Sequence, residues 1–203
     1  MEKIIEYIND RYKPLSVIVY GSYADGSNNA HSDFDALVIT KGGEKFHDVS
    51  FADDIQLDVF LYPLSYLEGD FDFDEVIQIF DGKIVIDSGD VGKALKEKVN
   101  EYLDSLPKRT KEENRESVEW CRKMLLRANR GDTEGMFRWH WLLTESLQIY
   151  FDILGKRYFG PKKSLRYMKE KRPDAFNTYT AALLNMDYKA LERWITFLDD
   201  ISQ

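Results

Sequence analysis

The chain has 203 residues and a mass of 23.8 kDa, with the 43% hydrophobic and 32% charged residues of an ordinary globular protein. No apolar run approaches the roughly 18 residues that a membrane-spanning helix needs, and acidic residues follow Met1 where a signal peptide has a basic region. The net charge is −8, and the single cysteine, Cys121, excludes an internal disulfide. These features predict a cytoplasmic protein without a membrane segment, in which Cys121 is a small buried hydrophobic residue.

The first predicted elements are a helix, a buried strand and a glycine-serine turn. Amphipathic spacing predicts a helix over 1–12, and the uniformly apolar run 15–20 predicts a central strand. Gly21 and Ser22 follow where the strand ends and a short helical turn begins. Glycine lets the backbone approach a ligand closely, and free N–H groups at a helix start, with the Ser22 hydroxyl, bind phosphate. We interpret the turn as a phosphate site; the alternative is an ordinary turn.

Two acids begin the second strand, which is predicted over 33–40. Because side chains alternate along a strand, Asp33 and Asp35 lie on the same face. Carboxylates held that close repel each other unless a cation lies between them. Mg²⁺ takes hard oxygen ligands and is commonly held by one or two carboxylates plus substrate phosphates. The pair is therefore a candidate metal site.

A third acid, Asp58, lies within another strand-like run at 55–62. Alternation places Asp58 on the side of this strand opposite its apolar residues. We expect the apolar side to lie on helices and Asp58 to join Asp33 and Asp35 on the exposed side. The alternative is an ordinary solvent-facing strand residue.

The remaining elements of the first half complete a mixed pattern of strands and helices. In chain order they are a strand that pairs with 55–62 through a tight turn, two helices, a short strand and a longer helix, over 46–52, 63–68, 73–80, 83–87 and 92–106. The polar segment 107–110 breaks the last helix. We therefore predict an α/β (α+β) domain with a mixed sheet at 1–106.

The second half shows no strand pattern and is predicted to be an all-α helical bundle domain, 107–203. Its helices are predicted over 111–129, 133–155, 162–171, 173–185 and 187–201. Charge also separates the halves: 9 Lys and Arg against 22 Asp and Glu give −13 up to Leu106, and 19 against 14 give +5 beyond it. The acidic half suits metal binding and the basic half suits a triphosphate. Solvated faces, or docking of the two domains, explain the same asymmetry.

Three separated segments share a pattern with a known family. Gly21-Ser22, the pair Asp33-Phe34-Asp35 after a gap of ten residues, and Leu57-Asp58-Val59 closely resemble the signature of the polymerase-β-type nucleotidyltransferase superfamily. Within it, the chain is most similar to the small bacterial enzymes of the kanamycin nucleotidyltransferase kind, which act on aminoglycosides and lincosamides. The resemblance implies a catalytic α/β domain followed by a helical domain. It also implies an NTP co-substrate, with ATP as first choice, and two Mg²⁺ ions, with Mn²⁺ as the alternative, held by Asp33, Asp35 and Asp58.

The predicted helix 133–155 carries the candidate general base, Glu145. This residue lies at the edge of the helix's apolar arc, one turn from Trp141 and Ile149. A carboxylate partly buried beside aromatic residues is suited to accept a proton from a hydroxyl. In enzymes of the kanamycin nucleotidyltransferase kind a glutamate of the helical domain has this role, and Glu145 is the similar position. The alternative is a salt bridge from Glu145 to Arg138 or another basic residue.

Lys162 and Lys163 lie in a basic segment after Pro161. They are candidates for contacting the triphosphate and stabilising charge as pyrophosphate leaves; a solvated basic helix face is the alternative. Many relatives carry an arginine shortly after Gly-Ser, where this chain has Asp25. Phosphate neutralisation then depends more on the metal and on the second domain.

Together these features predict transfer of a nucleoside monophosphate, AMP in the first instance, from an NTP to a hydroxyl of a small molecule. The small-molecule acceptor follows from the resemblance to antibiotic-modifying relatives. An acidic chain without a basic groove argues against nucleic acid as a partner. Relatives often place the active site between two subunits, so a homodimer stays open.

Two other functions remain alternatives. The acceptor is a protein side chain in related antitoxin-type (AMPylating) enzymes, which are often minimal domains, so the fused helical domain here favours a small molecule. A non-catalytic nucleotide sensor uses the same fold, but degenerate members usually lose an acid, whereas this chain keeps all three.

Overall fold

The computed structural model of the chain describes residues 1–203, which divide into two compact units, Met1–Leu106 and Pro107–Gln203. The first unit contains all the strands, and its elements are α1 Glu2–Tyr12, β1 Ser16–Val19, α2 Gly21–Asp25, β2 Phe34–Thr40, β3 Phe46–Asp48, β4 Phe51–Ala52, β5 Ile55–Pro63, α3 Leu64–Leu67, β6 Lys83–Asp87 and α4 Val91–Ser105. The second unit is helical, with α5 Lys111–Ala128, α6 Thr133–Ile153, α7 Gly160–Lys171, α8 Pro173–Asn185 and α9 Tyr188–Ser202. None of these helices combines the length and the hydropathy needed to cross a bilayer.

The strands of the first unit form one mixed sheet. Its order is β3-β5-β2-β1-β6, with the short strand β4 also paired to β5. β1 pairs antiparallel with β2 and β6, β3 and β4 pair antiparallel with β5, and β2 and β5 run parallel. The predicted fold class, a mixed-sheet domain followed by helices, is confirmed.

Both faces of this sheet are covered, because neighbouring residues of each strand point to opposite sides. With α1, one face buries Ile4, Ile8, Val17, Ala36 and Val59. With α4, the other face buries Ile18, Leu37, Tyr62, Leu95 and Val99. Asp58 belongs to this second face. We expected that face to be exposed, and for most of its area this prediction was wrong, because α4 covers it. The acids at the strand starts are the part that stays accessible: Asp33 is exposed, and Asp35 and Asp58 are half-buried.

The segment before β5 forms a hairpin with an interruption. β3 and β4 are separated at Val49-Ser50 because Asp48 turns inward, where its carboxylate accepts hydrogen bonds from the Tyr12 hydroxyl and the Ser50 backbone N–H. At the tip of the hairpin, Asp53 and Asp54 have φ of 51° and 62°. Two consecutive left-handed residues are typical of a tight two-residue hairpin turn.

The helix predicted over 73–80 is replaced by two 3₁₀ turns, Phe73–Glu75 and Ile77–Asp81. The Asp72 side chain accepts the N–H of Asp74, which closes the first turn tightly. Val76, at φ −122° and ψ 7°, interrupts the helical backbone between them.

The second unit begins at a reciprocal cap. The Thr110 hydroxyl accepts the Glu113 N–H at 3.2 Å, and the Glu113 carboxylate accepts the Thr110 N–H at 2.7 Å. The core between the helices contains Trp194, whose indole N–H donates to the Ser146 hydroxyl at 2.9 Å. Cys121 is fully buried in the same core, as predicted.

Candidate active site

Three acids converge at one end of the parallel strand pair. Asp33 directly precedes β2 and Asp35 is the second residue of that strand, so both side chains lie on one side of it. The parallel register then places Asp58 of β5 beside Asp35. Each of the three offers a carboxylate oxygen, and these oxygens lie within 4.8 Å of one another. The like charges repel, and a bound cation would relieve that repulsion.

Gly21 contacts this cluster from the end of β1. Its φ of 64° is in the left-handed region, and a Cβ at this position would come within 2.2 Å of Asp35 Oδ2. The backbone N–H of Tyr20 donates to the carbonyl of Asp35 at 3.1 Å, which joins the end of β1 to the start of β2. Only glycine leaves room for the Asp35 carboxylate here, so the glycine-serine turn and the acids form one local structure.

A family model described as a nucleotidyltransferase domain matches residues 1–119, more than half of the chain. The chain belongs to the nucleotidyltransferase domain family. Among solved structures it is similar to a nucleotidyltransferase-like protein from Exiguobacterium sibiricum 255-15, with 15% sequence identity and a TM-score of 0.42; the match covers all of this chain and 74% of that one. No curated protein sequence matches the chain.

Ser22 follows Gly21 in this nucleotidyltransferase as the second residue of α2. Only 7% of its surface is exposed, and its carbonyl accepts the backbone N–H groups of Gly26 and Ser27. The turn therefore has a fixed backbone next to Asp35. A phosphate contact by Gly21 and Ser22 stays a prediction.

The three carboxylates fit a hard divalent cation. Members of this family typically use a nucleoside triphosphate and a divalent metal ion, and Mg²⁺ and Mn²⁺ both take carboxylate oxygens. Asp35 and Asp58 are half-buried and fixed on adjacent strands, whereas Asp33 is exposed. The cluster thus combines two positioned carboxylates with one accessible side, an arrangement in which a substrate phosphate could share a bound ion.

His47 is a neighbour of this site that sequence reasoning missed. Its Nε2 lies 2.5 Å from Oδ1 of Asp58, and its ring stacks on Phe60 with a centroid distance of 4.0 Å and an interplanar angle of 6°. Both contacts depend on the pairing of β3 with β5, in which His47 is opposite Phe60. The pairing of 46–52 with 55–62 was predicted from the sequence, but the contact of the His47 side chain with Asp58 was not.

Tyr20 is a second neighbour that the sequence did not indicate as part of the site. Burial, with the Asp58 and Asp35 carboxylates nearby, raises the pKa of its hydroxyl, although a hydrogen bond with Gln78 acts in the opposite direction. Tyr20 therefore stays neutral beside the acids and contributes polarity without adding charge.

In the second unit, Glu145 is half-buried in α6. Burial, and then the Glu145 charge, raises the pKa of the Cys121 thiol to about 12 and that of the Tyr158 hydroxyl above its ordinary value. Arg138, the suggested ion-pair partner of Glu145, instead pairs with Glu134 at 2.5 Å. Glu145 thus lies near an aromatic hydroxyl and a buried thiol.

Lys162 and Lys163 lie in the first turn of α7, after Pro161. Lys162 is exposed and Lys163 is half-buried. Their contact with a triphosphate, like the role of Glu145, stays a prediction.

Proposed function

We propose that this nucleotidyltransferase transfers a nucleoside monophosphate, AMP in the first instance, from an NTP to a hydroxyl of a small molecule and releases pyrophosphate. The observation that carries the proposal is the convergence of Asp33, Asp35 and Asp58 within 4.8 Å. The contact of Gly21 with Asp35 adds support, because the glycine-serine turn lies next to the second acid. The small-molecule acceptor rests on the resemblance to enzymes of the kanamycin nucleotidyltransferase kind.

The first unit supplies the groups that hold the nucleotide. Asp33, Asp35 and Asp58 hold divalent cations, Mg²⁺ with Mn²⁺ as the alternative. Such ions, when bound, neutralise phosphate charge and make an acceptor hydroxyl more acidic. Gly21 and Ser22 bind phosphate oxygens through backbone N–H groups and the Ser22 hydroxyl.

The reaction is an in-line displacement at the α-phosphorus. The acceptor oxygen forms a bond to this phosphorus as the bond to the pyrophosphate oxygen breaks, and the acceptor loses its proton. Glu145 accepts that proton. Lys162 and Lys163 stabilise the charge that develops on the departing pyrophosphate.

The test is pyrophosphate release with each of four NTPs and Mg²⁺, against a panel of aminoglycosides, lincosamides and simple sugars. The inactive control is the double variant Asp33→Ala/Asp35→Ala. The matched control is Asp70→Ala, which removes an exposed acid of the same unit outside the cluster. We expect pyrophosphate release that requires an acceptor. This release should persist in Asp70→Ala and vanish in the double variant.

Two other results of this experiment would contradict the proposed function. Nucleotide binding without release for any acceptor overturns the small-molecule function and points to a protein acceptor or a sensor. If the protein shows no nucleotide binding and no pyrophosphate release, nucleotidyl transfer by these acids is overturned.

A further inference from the structure

The edge of the sheet next to Asp58 carries a side chain that the proposed reaction does not yet use. In the antiparallel pairing of β3 with β5, His47 is opposite Phe60. The two rings are nearly parallel, 6° apart, with centroids at 4.0 Å. Phe60 thus fixes the plane of the imidazole, because a stacked cross-strand pair limits rotation of both rings.

The same imidazole is hydrogen-bonded to Asp58. Nε2 of His47 lies 2.5 Å from Oδ1 of Asp58, and both side chains are partly accessible, at 42% and 34% exposure. A carboxylate can only accept, so the proton of this bond is on Nε2. Hydrogen bonds to an ionised carboxylate are among the stronger ones in proteins.

The position of β5 within the sheet determines which side chains flank Asp58. β5 lies between β3 and β2, so Asp58 has His47 on one side and Asp35 on the other. The two oxygens of Asp58 can therefore serve two neighbours, one on each adjoining strand. Without His47, repulsion from Asp33 and Asp35 would favour rotamers that carry the Asp58 carboxylate away from them.

We infer that His47 is a positioning residue for the metal site: by donating Nε2–H to Oδ1 of Asp58, it holds the Asp58 carboxylate in the orientation in which Oδ2 binds the cation. The inference rests on the proposed metal-dependent function and adds a residue to it. Hydrogen-bond partners of metal ligands orient those ligands, and their removal typically weakens metal binding or activity by about 10- to 100-fold.

Two substitutions separate the hydrogen bond from the ring stack. His47→Phe keeps an aromatic ring on Phe60 but has no donor, whereas His47→Gln keeps an N–H donor but has no ring. The matched control is His140→Ala, an exposed histidine of the second unit. The measurement is Mn²⁺ binding to the full chain by electron paramagnetic resonance at one fixed pH, without nucleotide.

We expect His47→Phe to bind Mn²⁺ about 10- to 100-fold more weakly than the wild type, and His47→Gln and His140→Ala to bind nearly as tightly as it. In the pyrophosphate assay, the Mg²⁺ concentration for half-maximal rate should rise in His47→Phe while the KM for the NTP at saturating Mg²⁺ stays unchanged. Melting temperatures measured in chelator check that both variants are folded.

Each other outcome has a distinct meaning. If His47→Phe binds Mn²⁺ with wild-type affinity, the positioning role is overturned. This includes the case in which only His47→Gln binds Mn²⁺ weakly, because the ring stack and not the hydrogen bond would then matter. A wild-type protein that binds no Mn²⁺ overturns the role of His47, and a wild type whose pyrophosphate release does not require a divalent cation overturns the metal-dependent function itself.

Discussion

Gly21 lies so close to Asp35 that a methyl group added at its Cα would come within 2.2 Å of the Asp35 carboxylate oxygen. No rotation of the backbone at Gly21 is available to relieve this contact cheaply, because its φ of 64° is already one that only glycine adopts readily. The position of the second acid therefore depends on the absence of a side chain at Gly21.

Gly21→Ala should lower nucleotidyl transfer by at least about 100-fold, because displacement of a reacting group by about 1 Å has that effect. The matched control is Gly26→Ala. Gly26 has a similar φ of 77°, but a Cβ there meets nothing within 4 Å. Both variants carry the cost of a left-handed alanine, about 1–2 kcal/mol, and only Gly21→Ala moves Asp35. Equal activity losses in the two variants, measured by pyrophosphate release, would contradict this.

Asp33→Asn should abolish stabilisation by divalent cations without unfolding the chain. Asp33 is exposed, so its replacement removes a repelling charge and a metal ligand while leaving the core intact. Mn²⁺ at 100 times its dissociation constant should stabilise the wild type by about 2.7 kcal/mol. The measurement is the melting temperature with Mn²⁺ and with chelator. Asp70→Asn should keep the full shift, and an undiminished shift in Asp33→Asn would exclude Asp33 as a ligand.

Glu145→Gln should reduce the rate of transfer at saturating NTP by about 100- to 10,000-fold, the usual contribution of a general base. The KM for the NTP should stay the same, because the change removes proton acceptance and not nucleotide binding. Glu192→Gln, an exposed glutamate on α9, is the control. Steady-state kinetics of pyrophosphate release check both values, and a wild-type rate in Glu145→Gln would assign the proton to another group.

Asp48→Asn should destabilise the protein more at neutral pH than in acid. Burial opposes ionisation of Asp48, but hydrogen bonds from Ser50 and Tyr12, with Arg11 nearby, outweigh it and hold its pKa below the usual aspartate range. A lowered carboxyl pKa stabilises the fold above about pH 4, and this stabilisation is lost as the pH falls through the folded-state value.

The expected difference between Asp48→Asn and the wild type is about 1–3 kcal/mol at pH 7, and it should be smaller at pH 3, below the ordinary aspartate pKa. Urea unfolding followed by far-ultraviolet circular dichroism at the two pH values measures it. The control is Asp10→Asn, which removes an acid of which 79% of the side chain is exposed. A difference that does not change with pH would mean that the charge of Asp48 is not the stabilising feature.

Ser146→Ala should destabilise the second unit by about 1–3 kcal/mol, because it leaves the buried indole N–H of Trp194 without a partner. All four tryptophans of the chain lie in this unit, so urea unfolding followed by tryptophan fluorescence reports on it. In the double variant Ser146→Ala/Trp194→Phe, the losses should be smaller than additive, since the unpaired donor is gone. Additive losses would show that the bond contributes little.

The acids of the site could be predicted because their information is local. Alternation within one strand is enough to place Asp33 and Asp35 on the same side, and the resemblance to a known signature linked Asp58 to them across more than twenty residues. The Thr110 cap is equally local, since donor and acceptor lie three residues apart. Where a contact follows from spacing along one strand or one helix turn, the sequence was sufficient.

Contacts between side chains of paired strands, and the packing of helices on the sheet, were not predicted. The sequence indicated the hairpin of 46–52 with 55–62, but not that its register brings the His47 side chain to Asp58. The covered face of the sheet could not be predicted either: α4, which covers it, begins at Val91, 28 residues after β5 ends at Pro63, and strand periodicity does not say which helix lies on which side. Residues 73–81 have helical spacing, yet Val76 and the Asp72 side chain favour tighter 3₁₀ turns.

Leu57 and Asp58 are neighbours in β5 on opposite faces, the first with no exposed surface and the second beside Asp35. A shift of β5 by one residue against β2 would exchange them, with a carboxylate in the core and a leucine among the acids. A molecule with that mispairing could not bury its interior and would not complete folding. Core packing and the assembly of the three carboxylates therefore depend on the same strand register. A molecule that has reached the native fold also has its acids correctly assembled.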